Sequence, residues 1–389
     1  MMRKISIIAI LLVCSILFVS CGADGSGPRE DSLPPLETAE DTSSGQGESQ
    51  PISGPRVIYT QTFDNGLTAD IYDDKTLVLS GADADFDLRD DRTMAGHLTG
   101  ITTIEFDKGV TKVGTKAFLD YTAVKKVIFG DSVKEIDYSA FSGCTALTDI
   151  RFGSNVEMID EYAFAGCTAL KDVVFTDSLH SIGSYAFSGC EALRNIEFGA
   201  GLQTVGNNVF SDCKALVSAR FKANIPVAVF SDCTSLESVT MESTVTEVGD
   251  RAFSGCTSLK NITWSEEIKA VRAEAFRGCS AMENLLIPTC KDLILYENAF
   301  AGCTKLVIVA LPEGIIEIKD RCFEGCSGIE RLTLPKTLKT IGVRVFNECS
   351  SMRELWYRGT QNEFNKVKKA SAWNNGIGNI WNVTKYKAE

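Results

Sequence analysis

The 389-residue sequence contains few of the residues that build catalytic and metal centres. It has only two histidines, His97 and His180, and they lie far apart in the chain. It has no CxxC pair of the kind that binds zinc or exchanges disulfides, and no GxSxG, HExxH or phosphate-binding glycine loop. We therefore expect no metal, no cofactor and no catalytic residues.

Basic residues are also in deficit: 39 lysines and arginines stand against 51 acidic residues, so the net charge is −12. A surface of this sign repels phosphate backbones, and nucleic acid is not an expected partner. Long apolar segments are missing apart from Ile5–Val19, which is too short to span a bilayer comfortably. Because Arg3 and Lys4 precede this segment, residues 1–20 are typical of a secretory signal peptide.

The signal segment ends in Phe18-Val19-Ser20-Cys21-Gly22, which resembles the lipobox of bacterial lipoproteins. The resemblance implies cleavage before Cys21, acylation of its thiol, and an exported protein anchored to the bacterial membrane and displayed at the cell surface. Phe18 departs from the usual leucine, and ordinary secretion or a short uncleaved anchor is the alternative. The next stretch is acidic and rich in glycine, serine and proline, so residues 21–55 are predicted to be a disordered tether.

A repeat of about 23 residues dominates the rest of the chain. Phenylalanine recurs at 118, 141, 164, 187, 210, 230, 253, 276, 300, 323 and 346. A cysteine follows three residues after every one of these except Phe118, where Tyr121 stands instead. A repeat of this length cannot bury its own apolar side, so its eleven copies must stack on one another as a solenoid.

The repeat after Cys144 illustrates the predicted local structure. Ile150 and Phe152 alternate with polar residues, which indicates a short β-strand with these two side chains inward. The later Ala163-Phe164 pair leads into a glycine and indicates a tight helical turn. Each inward phenylalanine contributes roughly 1.5–3 kcal/mol of burial, and together they predict a continuous ladder.

The pattern Ala-Phe-Ser-Gly-Cys-Thr-x-Leu-x-x-Ile-x-Phe closely resembles the BspA-type leucine-rich repeats of bacterial surface proteins. This resemblance implies a β-rich leucine-rich-repeat solenoid, right-handed and curved, with short parallel strands and short helical turns. The family comprises surface adhesins and proteins of unknown function and has no catalytic residues to transfer. Tyr72–Gly81 resembles its amino-terminal strand cap and Leu355–Thr360 its closing segment, so we expect an N-terminal β cap at 56–97, the repeats at 98–357 and a C-terminal cap at 358–389.

Two repeats depart from the pattern. The interval between Cys213 and Cys233 is only 20 residues and contains Pro226, which cannot donate to a β-ladder, so we expect an irregular convex side there. This is either a tolerated deletion or a bend or notch for a partner. The 24-residue repeat contains Pro288 and Cys290, and its extra residue is expected to bulge before Leu293.

The cysteine ladder is predicted to consist of buried, free thiols. Equivalent side chains on successive coils point in parallel directions and lie at least about 4.8 Å apart. A disulfide needs Cβ atoms about 3.8 Å apart that point toward each other. Twelve cysteines remain once Cys14 and Cys21 are set aside, and Cys322 occupies a position where alanine is usual.

A candidate binding face follows from strand periodicity. The residues five and seven places after each cysteine are out of phase with the inward ones, so they should line the exposed concave sheet. In early repeats they are mostly polar, as in Asp149 with Arg151 and Asn195 with Glu197. In later repeats they become Leu286, Ile308, Ala310, Arg331, Glu354 and Trp356. These later residues form either a partner site or a surface that the C-terminal cap covers.

The C-terminal segment contains Trp373 and Trp381, which either stack on the sugars of a glycan or shield the last coil. Three functions remain, in order of preference. They are protein binding or adhesion at the cell surface, carbohydrate binding or wall attachment, and polysaccharide hydrolysis by an unrecognised carboxylate pair. We expect a monomer that binds a protein or glycan on host or neighbouring cells.

Overall fold

The computed structural model describes residues 54–81, 94–375, 377 and 385–386. Gly54–Glu389 forms one compact unit. It begins with three antiparallel strands, β1 (Val57–Thr62), β2 (Thr68–Tyr72) and β3 (Thr76–Ser80). After the short helix α1 (Ala95–Leu98), the chain returns so that β3 pairs in parallel with the first strand of the repeats. The antiparallel strands therefore cover the edge of the first coil.

The repeats form a β-solenoid of about twelve turns. Nearly every turn contributes one strand to each of two stacks of parallel strands, which we call the front sheet and the back sheet. The front strands are β4 (Thr103–Phe106), β6 (Lys126–Phe129), β8 (Asp149–Arg151), β10 (Asp172–Val174), β12 (Asn195–Glu197), β14 (Ser218–Phe221), β15 (Ser238–Met241), β17 (Asn261–Thr263), β20 (Ile308–Ala310), β22 (Arg331–Leu334) and β24 (Glu354–Tyr357). The back strands are β5 (Lys112–Val113), β7 (Glu135–Ile136), β9 (Met158–Ile159), β11 (Ser181–Ile182), β13 (Thr204–Val205), β16 (Glu247–Val248), β18 (Ala270–Val271), β19 (Leu293–Leu295), β21 (Ile315–Ile318), β23 (Thr340–Ile341) and β25 (Lys368–Lys369).

The phenylalanine ladder is the centre of the core. All eleven rings are fully buried, and successive rings stack with centroids 5.1 to 6.1 Å apart. The ladder continues through the irregular repeats, because Phe210 and Phe230 still stack across the 20-residue interval at 5.8 Å. The predicted continuous ladder is confirmed.

The segment around each phenylalanine is a tight turn, as predicted, but it is not an α-helix. In the repeat of Phe141, Ala140 and Ser142 donate their amides three residues back, to Asp137 and Ser139. The amides that alternate with these, from Ser139, Phe141 and Gly143, donate instead to carbonyls of the next coil. Alternate N–H groups are thus used between coils, which prevents the continuous i to i−4 bonding of an α-helix.

The cysteine column joins neighbouring coils through hydrogen bonds. In each of the ten repeat cysteines, the Sγ atom donates to the carbonyl oxygen of the phenylalanine on the preceding coil, at an Sγ–O distance of 3.1 to 3.4 Å. A thiol is a small apolar group with a weak donor, so it satisfies this buried carbonyl while filling the core. All twelve cysteines of the described residues are free, and Cys322 is buried at its alanine position.

The two irregular repeats interrupt the sheets. In the 20-residue repeat the back strand is missing, and a single bridge between Ile225 and Val248 takes its place, as the deletion and Pro226 predict. In the 24-residue repeat the front strand is reduced to a bridge between Asn284 and Ile308. The back-sheet register shifts between Leu293 and Ile294, where the partners on β21 change from Ile315 to Glu317.

The last coil is covered by residues that follow β24. Thr360 and Glu363 form a reciprocal capping box that begins helix α2 (Gln361–Lys366). Phe364 of this helix packs against Tyr357 and Trp373, and Trp373 lies edge-on to Phe346, the last ring of the ladder. The strands β25 and β26 (Lys385–Tyr386) extend the back and front sheets by one strand each.

Candidate binding face

The front sheet presents its out-of-phase residues to solvent. In β20 the buried Val309 lies between exposed Ile308 and Ala310, and the same alternation occurs in β10, where exposed Asp172 and Val174 flank a buried valine. Alternate residues of a strand point to opposite sides, so the positions five and seven after each cysteine form two outward columns. We call these columns the front face.

Two aliphatic side chains lie exposed on neighbouring coils near the C-terminal end of the front face. Leu286 is 77% exposed and Ile308 is 54% exposed. The bridge between Asn284 and Ile308 brings their two coils together, and Leu286 follows that bridge by two residues. Ala310 is also exposed. Since both large side chains remain in solvent, the described part of the C-terminal cap does not cover them.

Next to these aliphatic residues lies a cluster of charged and aromatic side chains. Arg331 is the partner of Ile308 on the next coil, and Glu354 is the partner of Arg331 on the one after. Arg331 and Glu354 form an ion pair, and the Trp356 indole nitrogen donates to the same Glu354 oxygen at 3.0 Å. The Arg331 guanidinium lies 5.9 Å from the Trp356 ring centroid. Each group holds the others in position, so the cluster is ordered before any partner binds.

The amino-terminal part of the front face has a different character. Asp149 and Arg151 lie within ion-pair distance, and Asn195 donates an amide hydrogen bond of 2.9 Å to Asp172. Val174 is the exception, with 64% of its side chain exposed, but its neighbours in the same columns are polar. This part of the front face is therefore a solvated polar surface.

Two exposed valines beside the front face were not predicted from the sequence. Val217 is 45% exposed and Val307 is 43% exposed, and both stand four residues after a cysteine. In the other repeats that position carries lysine, arginine, threonine or glutamate. A break in a polar column was thus a readable signal, and Val307 directly precedes Ile308 and enlarges the aliphatic area.

Of the two tryptophans proposed for sugar stacking, the structure describes only Trp373. Trp373 is only 7% exposed and packs against Phe346 and Phe364, so its ring has no open face for a sugar. This position favours the cap interpretation for Trp373. Trp381 lies outside the described residues, as does Cys21.

The cysteines have the properties of structural groups. Burial raises the pKa of the Cys144 and Cys190 thiols to about 12, and it raises the pKa of Cys290, which is half-buried, to about 11. A thiol that stays protonated is a poor nucleophile and a poor metal ligand. Within residues 54–81 and 94–375, no group of three or more His, Cys, Asp or Glu side chains is placed to hold a metal ion.

Sequence comparison identifies the repeat. The sequence model of the BspA type leucine-rich repeat region matches residues 96–217, 223–353 and 292–369, in six copies. The chain belongs to this family. The gap between the first two BspA-type matches falls within the 20-residue repeat, where the pattern is shortest. No curated protein matches the chain.

Several solved bacterial structures are similar to this BspA-type chain. A leucine-rich cell surface protein from Faecalibacterium prausnitzii is 23% identical over 80% of this chain and 98% of its own, with a TM-score of 0.40. A leucine-rich repeat protein from Bacteroides ovatus is 22% identical over 85% and 98%, with a TM-score of 0.45. The pneumococcal vaccine antigen PcpA is 14% identical over 86% and 100%, with a TM-score of 0.40.

Proposed function

We propose that this BspA-type protein is a non-catalytic, protein-binding solenoid displayed at the bacterial cell surface. The partner contacts an apolar patch of the front face, which consists of Leu286, Ile308 and Ala310 and is bordered by Arg331, Glu354 and Trp356. The partner is a protein on host or neighbouring cells. The chain acts as a monomer.

The exposure of Leu286 and Ile308 on adjoining coils is the observation that carries this proposal. Exposed aliphatic side chains that are scattered singly are normal, but neighbouring ones rimmed by polar groups are typical of protein interaction sites. Arginine and tryptophan are the residues most enriched among interface hot spots, and both lie at the edge of this patch. The Arg331–Glu354–Trp356 cluster is already ordered by its own contacts, so binding would cost little side-chain entropy there.

A lipid anchor at Cys21 is the proposed means of display. Its support is the lipobox-like sequence Phe18–Gly22, together with the acidic tether that would hold the repeats away from the membrane. None of the helices in the described ranges is long and apolar enough to cross a bilayer.

Carbohydrate binding has less support than protein binding. Of the two candidate tryptophans, Trp373 is buried against the core, so sugar stacking would rest on Trp381 alone. Hydrolysis also lacks a specific observation in its favour. Among the described front-face carboxylates, Asp149, Asp172 and Glu354 already hold ion pairs or hydrogen bonds to neighbouring side chains.

The patch is tested by the double variant Ile308→Asp with Trp356→Ala. The chain without its first 21 residues is immobilised, and binding of proteins from extracellular matrix, mucin and neighbouring bacteria is measured for variant and parent. We expect partner affinity to fall at least about tenfold, since a buried carboxylate replaces an apolar contact. The melting temperature should change little, because Ile308 is exposed and Trp356 is half-buried.

Val174→Asp is the matched control, since Val174 is 64% exposed on the polar part of the same face. It adds the same charge and should leave partner binding intact. Equal loss of binding in both variants would contradict a localised patch. A large fall in the melting temperature of the double variant would instead show that Ile308 and Trp356 belong to the core of the cap.

The anchor is tested by Cys21→Ser. The parent should partition into the detergent phase of a two-phase extraction, and the variant should remain aqueous or unprocessed, because the acylated thiol is missing. Mass spectrometry of the amino terminus provides the second measurement. Identical partitioning with an unprocessed terminus in both proteins would contradict the lipoprotein proposal.

A further inference from the structure

A cleft of about 760 Å³ opens beside the 20-residue repeat. It lies between the segment Ile196–Val205 on one coil and the segment Arg220–Asn224 on the next. Its volume falls within the range of roughly 300–1,000 Å³ that is usual for ligand sites. The cleft occupies the place where a regular coil would contribute its back strand.

The deletion exposes side chains whose counterparts on the preceding coil are buried. Phe198, Leu202 and Val205 line the cleft and are only partly buried. Their counterparts on the preceding coil, Phe175, Leu179 and Ile182, are 4%, 2% and 1% exposed. The sequence changes little between these two coils, so the missing neighbour causes the exposure. The cleft is an apolar opening into the core.

The deletion also leaves the edge of β13 without a partner. In regular coils, backbone carbonyls at the back strand accept hydrogen bonds from amides of the next coil. At β7, the carbonyl of Lys134, just before the strand, accepts from the Glu157 N–H at 2.8 Å, and the carbonyl of Ile136 accepts from the Asp160 N–H at 2.8 Å. The equivalent carbonyls of β13 belong to Gln203 and Val205. Within the described residues, neither carbonyl accepts a backbone hydrogen bond, and the Val205 N–H donates none.

The facing segment cannot close this edge itself. Ile225 directs its N–H to Glu247 and its carbonyl to Gly249, both on the following coil, at 3.0 and 2.8 Å. Pro226, the next residue, has no N–H to donate. Among the described residues, the edge of the back sheet at β13 therefore has both donor and acceptor groups open, next to an apolar cleft. An unpaired edge of this kind is a template for strand addition.

The charges around the cleft are of one sign, although the chain as a whole carries −12. The charged side chains that line it are Arg220 and Lys222, and none of its lining residues is acidic. Arg220 is paired with Glu242 at 2.8 Å, whereas Lys222 makes no ion pair within the described residues. The uncompensated lysine favours a ligand that carries a carboxylate.

We propose that this cleft binds an extended peptide segment of a partner protein, which adds to β13 as a parallel strand. The peptide would donate N–H groups to Gln203 and Val205, insert apolar side chains toward Phe198 and Leu202, and place an acidic residue near Lys222. This second site extends the proposed protein-binding function. It depends on that function in one respect, which is that the natural ligand is a protein.

The chain itself supplies a probe of known geometry. In β9 and its flanks, Glu157 and Asp160 donate backbone hydrogen bonds to the carbonyls that correspond to those of Gln203 and Val205. A fluorescent, end-capped peptide with the sequence Asn155–Asp160 therefore has the donors, apolar residues and carboxylates that the cleft requires. We expect its fluorescence anisotropy to rise saturably with the concentration of the mature chain. N-methylation of its last residue should weaken binding at least about tenfold, whereas N-methylation of its valine should not.

Ala200→Trp is the blocking variant, because Ala200 is exposed and lines the cleft. Ser243→Trp is its matched control, since Ser243 is exposed at the equivalent place two coils further on, outside the cleft lining. The first change should abolish peptide binding and the second should preserve it. Lys222→Glu should weaken binding, with a larger effect at low salt.

Three results would overturn the inference. One is no anisotropy change with protein concentrations up to about 1 mM, which corresponds to negligible affinity. Another is equal binding by the two N-methylated peptides. That result would mean that the cleft binds apolar and carboxylate side chains without backbone pairing to β13. The third is equal binding by the Ala200→Trp and Ser243→Trp variants. Ile308→Asp should not alter peptide binding, so failure of the front-face patch and failure of this cleft are separate outcomes.

Discussion

The early coils of the solenoid and the coils after the 20-residue repeat fill the same inward position of the front strands with different residues. Up to and including the 20-residue repeat, a second phenylalanine column runs beside the main ladder, eight places after the cysteine or its equivalent position. Its members are Phe106, Phe129, Phe152, Phe175, Phe198 and Phe221. After it, the same column contains Met241, Trp264, Ile287, Leu311, Leu334 and Tyr357. All six of these later residues are buried, so the position requires apolar volume and not a particular side chain.

The two regions also differ on the front face, where burial imposes no such requirement. The early coils present charged and amide side chains that pair with one another, whereas the later coils present Leu286, Ile308 and Ala310. Inward positions vary in shape but stay apolar, because each loss of burial costs free energy of folding. Outward positions vary in chemistry at little cost in stability, so they are free to differ between coils.

The largest expected effect is on the free energy of unfolding, and it distinguishes the core packing of the early coils from that of the late coils. Phe164→Ala removes a ring that touches the second column, at 6.1 Å from Phe152 and 6.4 Å from Phe129, besides its ladder neighbours. Phe300→Ala removes a ring that stacks with Phe276 and Phe323 only, among described aromatic contacts. Both changes should destabilise the fold by about 3–5 kcal/mol. The first should cost about 1 kcal/mol more, because aromatic pairs add roughly 0.5–1.5 kcal/mol beyond burial.

Urea unfolding monitored by circular dichroism measures both changes in the free energy of unfolding. Phe164→Leu and Phe300→Leu serve as controls that retain most of the apolar volume. Small and equal losses for the two alanine variants would contradict a ladder that is continuous through both regions. A larger loss at Phe300 would show that the second phenylalanine column adds nothing to the early coils.

Thiol labelling should also separate the regions. Cys144, Cys167, Cys190 and Cys213 of the early coils are buried, whereas Cys290 in the 24-residue repeat is partly exposed. We expect a maleimide to modify only Cys290 among the twelve described cysteines of the native protein, and slowly, because its pKa is raised to about 11. All twelve should react after denaturation without a reductant. Four or more disulfides in the unreduced protein, found by mass spectrometry, would contradict the ladder of free thiols.

The smallest expected effect concerns the last coil in acid. The backbone N–H of Thr360, together with Lys336 at 2.9 Å, lowers the pKa of Glu363. A lowered folded-state pKa stabilises the cap above the ordinary glutamate value of about 4.3, and this stabilisation is lost as the pH falls through the folded pKa. Hydrogen-exchange protection of residues 354–375 should therefore decrease below about pH 4.3.

Glu363→Gln should flatten this pH dependence in the cap and leave the early coils unchanged. Asp131→Asn is the matching control there, since Ser154 donates two hydrogen bonds that lower the pKa of Asp131. Each variant should alter the acid response of its own region only. Uniform loss of protection along the solenoid in acid would show that the cap does not respond on its own.

The features of the fold and of the front face that the sequence predicted are those whose environment repeats from coil to coil. Phe118, Cys144 and their equivalents recur with the period of the coil, so each copy meets the same neighbours, and their burial followed directly from the spacing. The outward columns followed for the same reason, since alternation within a strand is a local property of the backbone. The repeat itself predicted a stacked solenoid, and the resemblance to BspA-type repeats added its leucine-rich-repeat type.

Other features were decided only when the coils came together. The segment around Phe141 has the composition of a helical turn, but alternate amides bond to the next coil, and no local pattern reveals that partner. Trp373 can be interpreted either as a cap residue, which the sequence favours, or as a sugar platform, until Phe346 and Phe364 are found against it. Val205 looks like any inward valine, yet it lies at an open edge because a deletion some twenty residues later removed the strand that would have paired with it. Hydrogen bonds and burial between coils are contacts between residues distant in sequence, and the repeat alone does not say where one of them is missing.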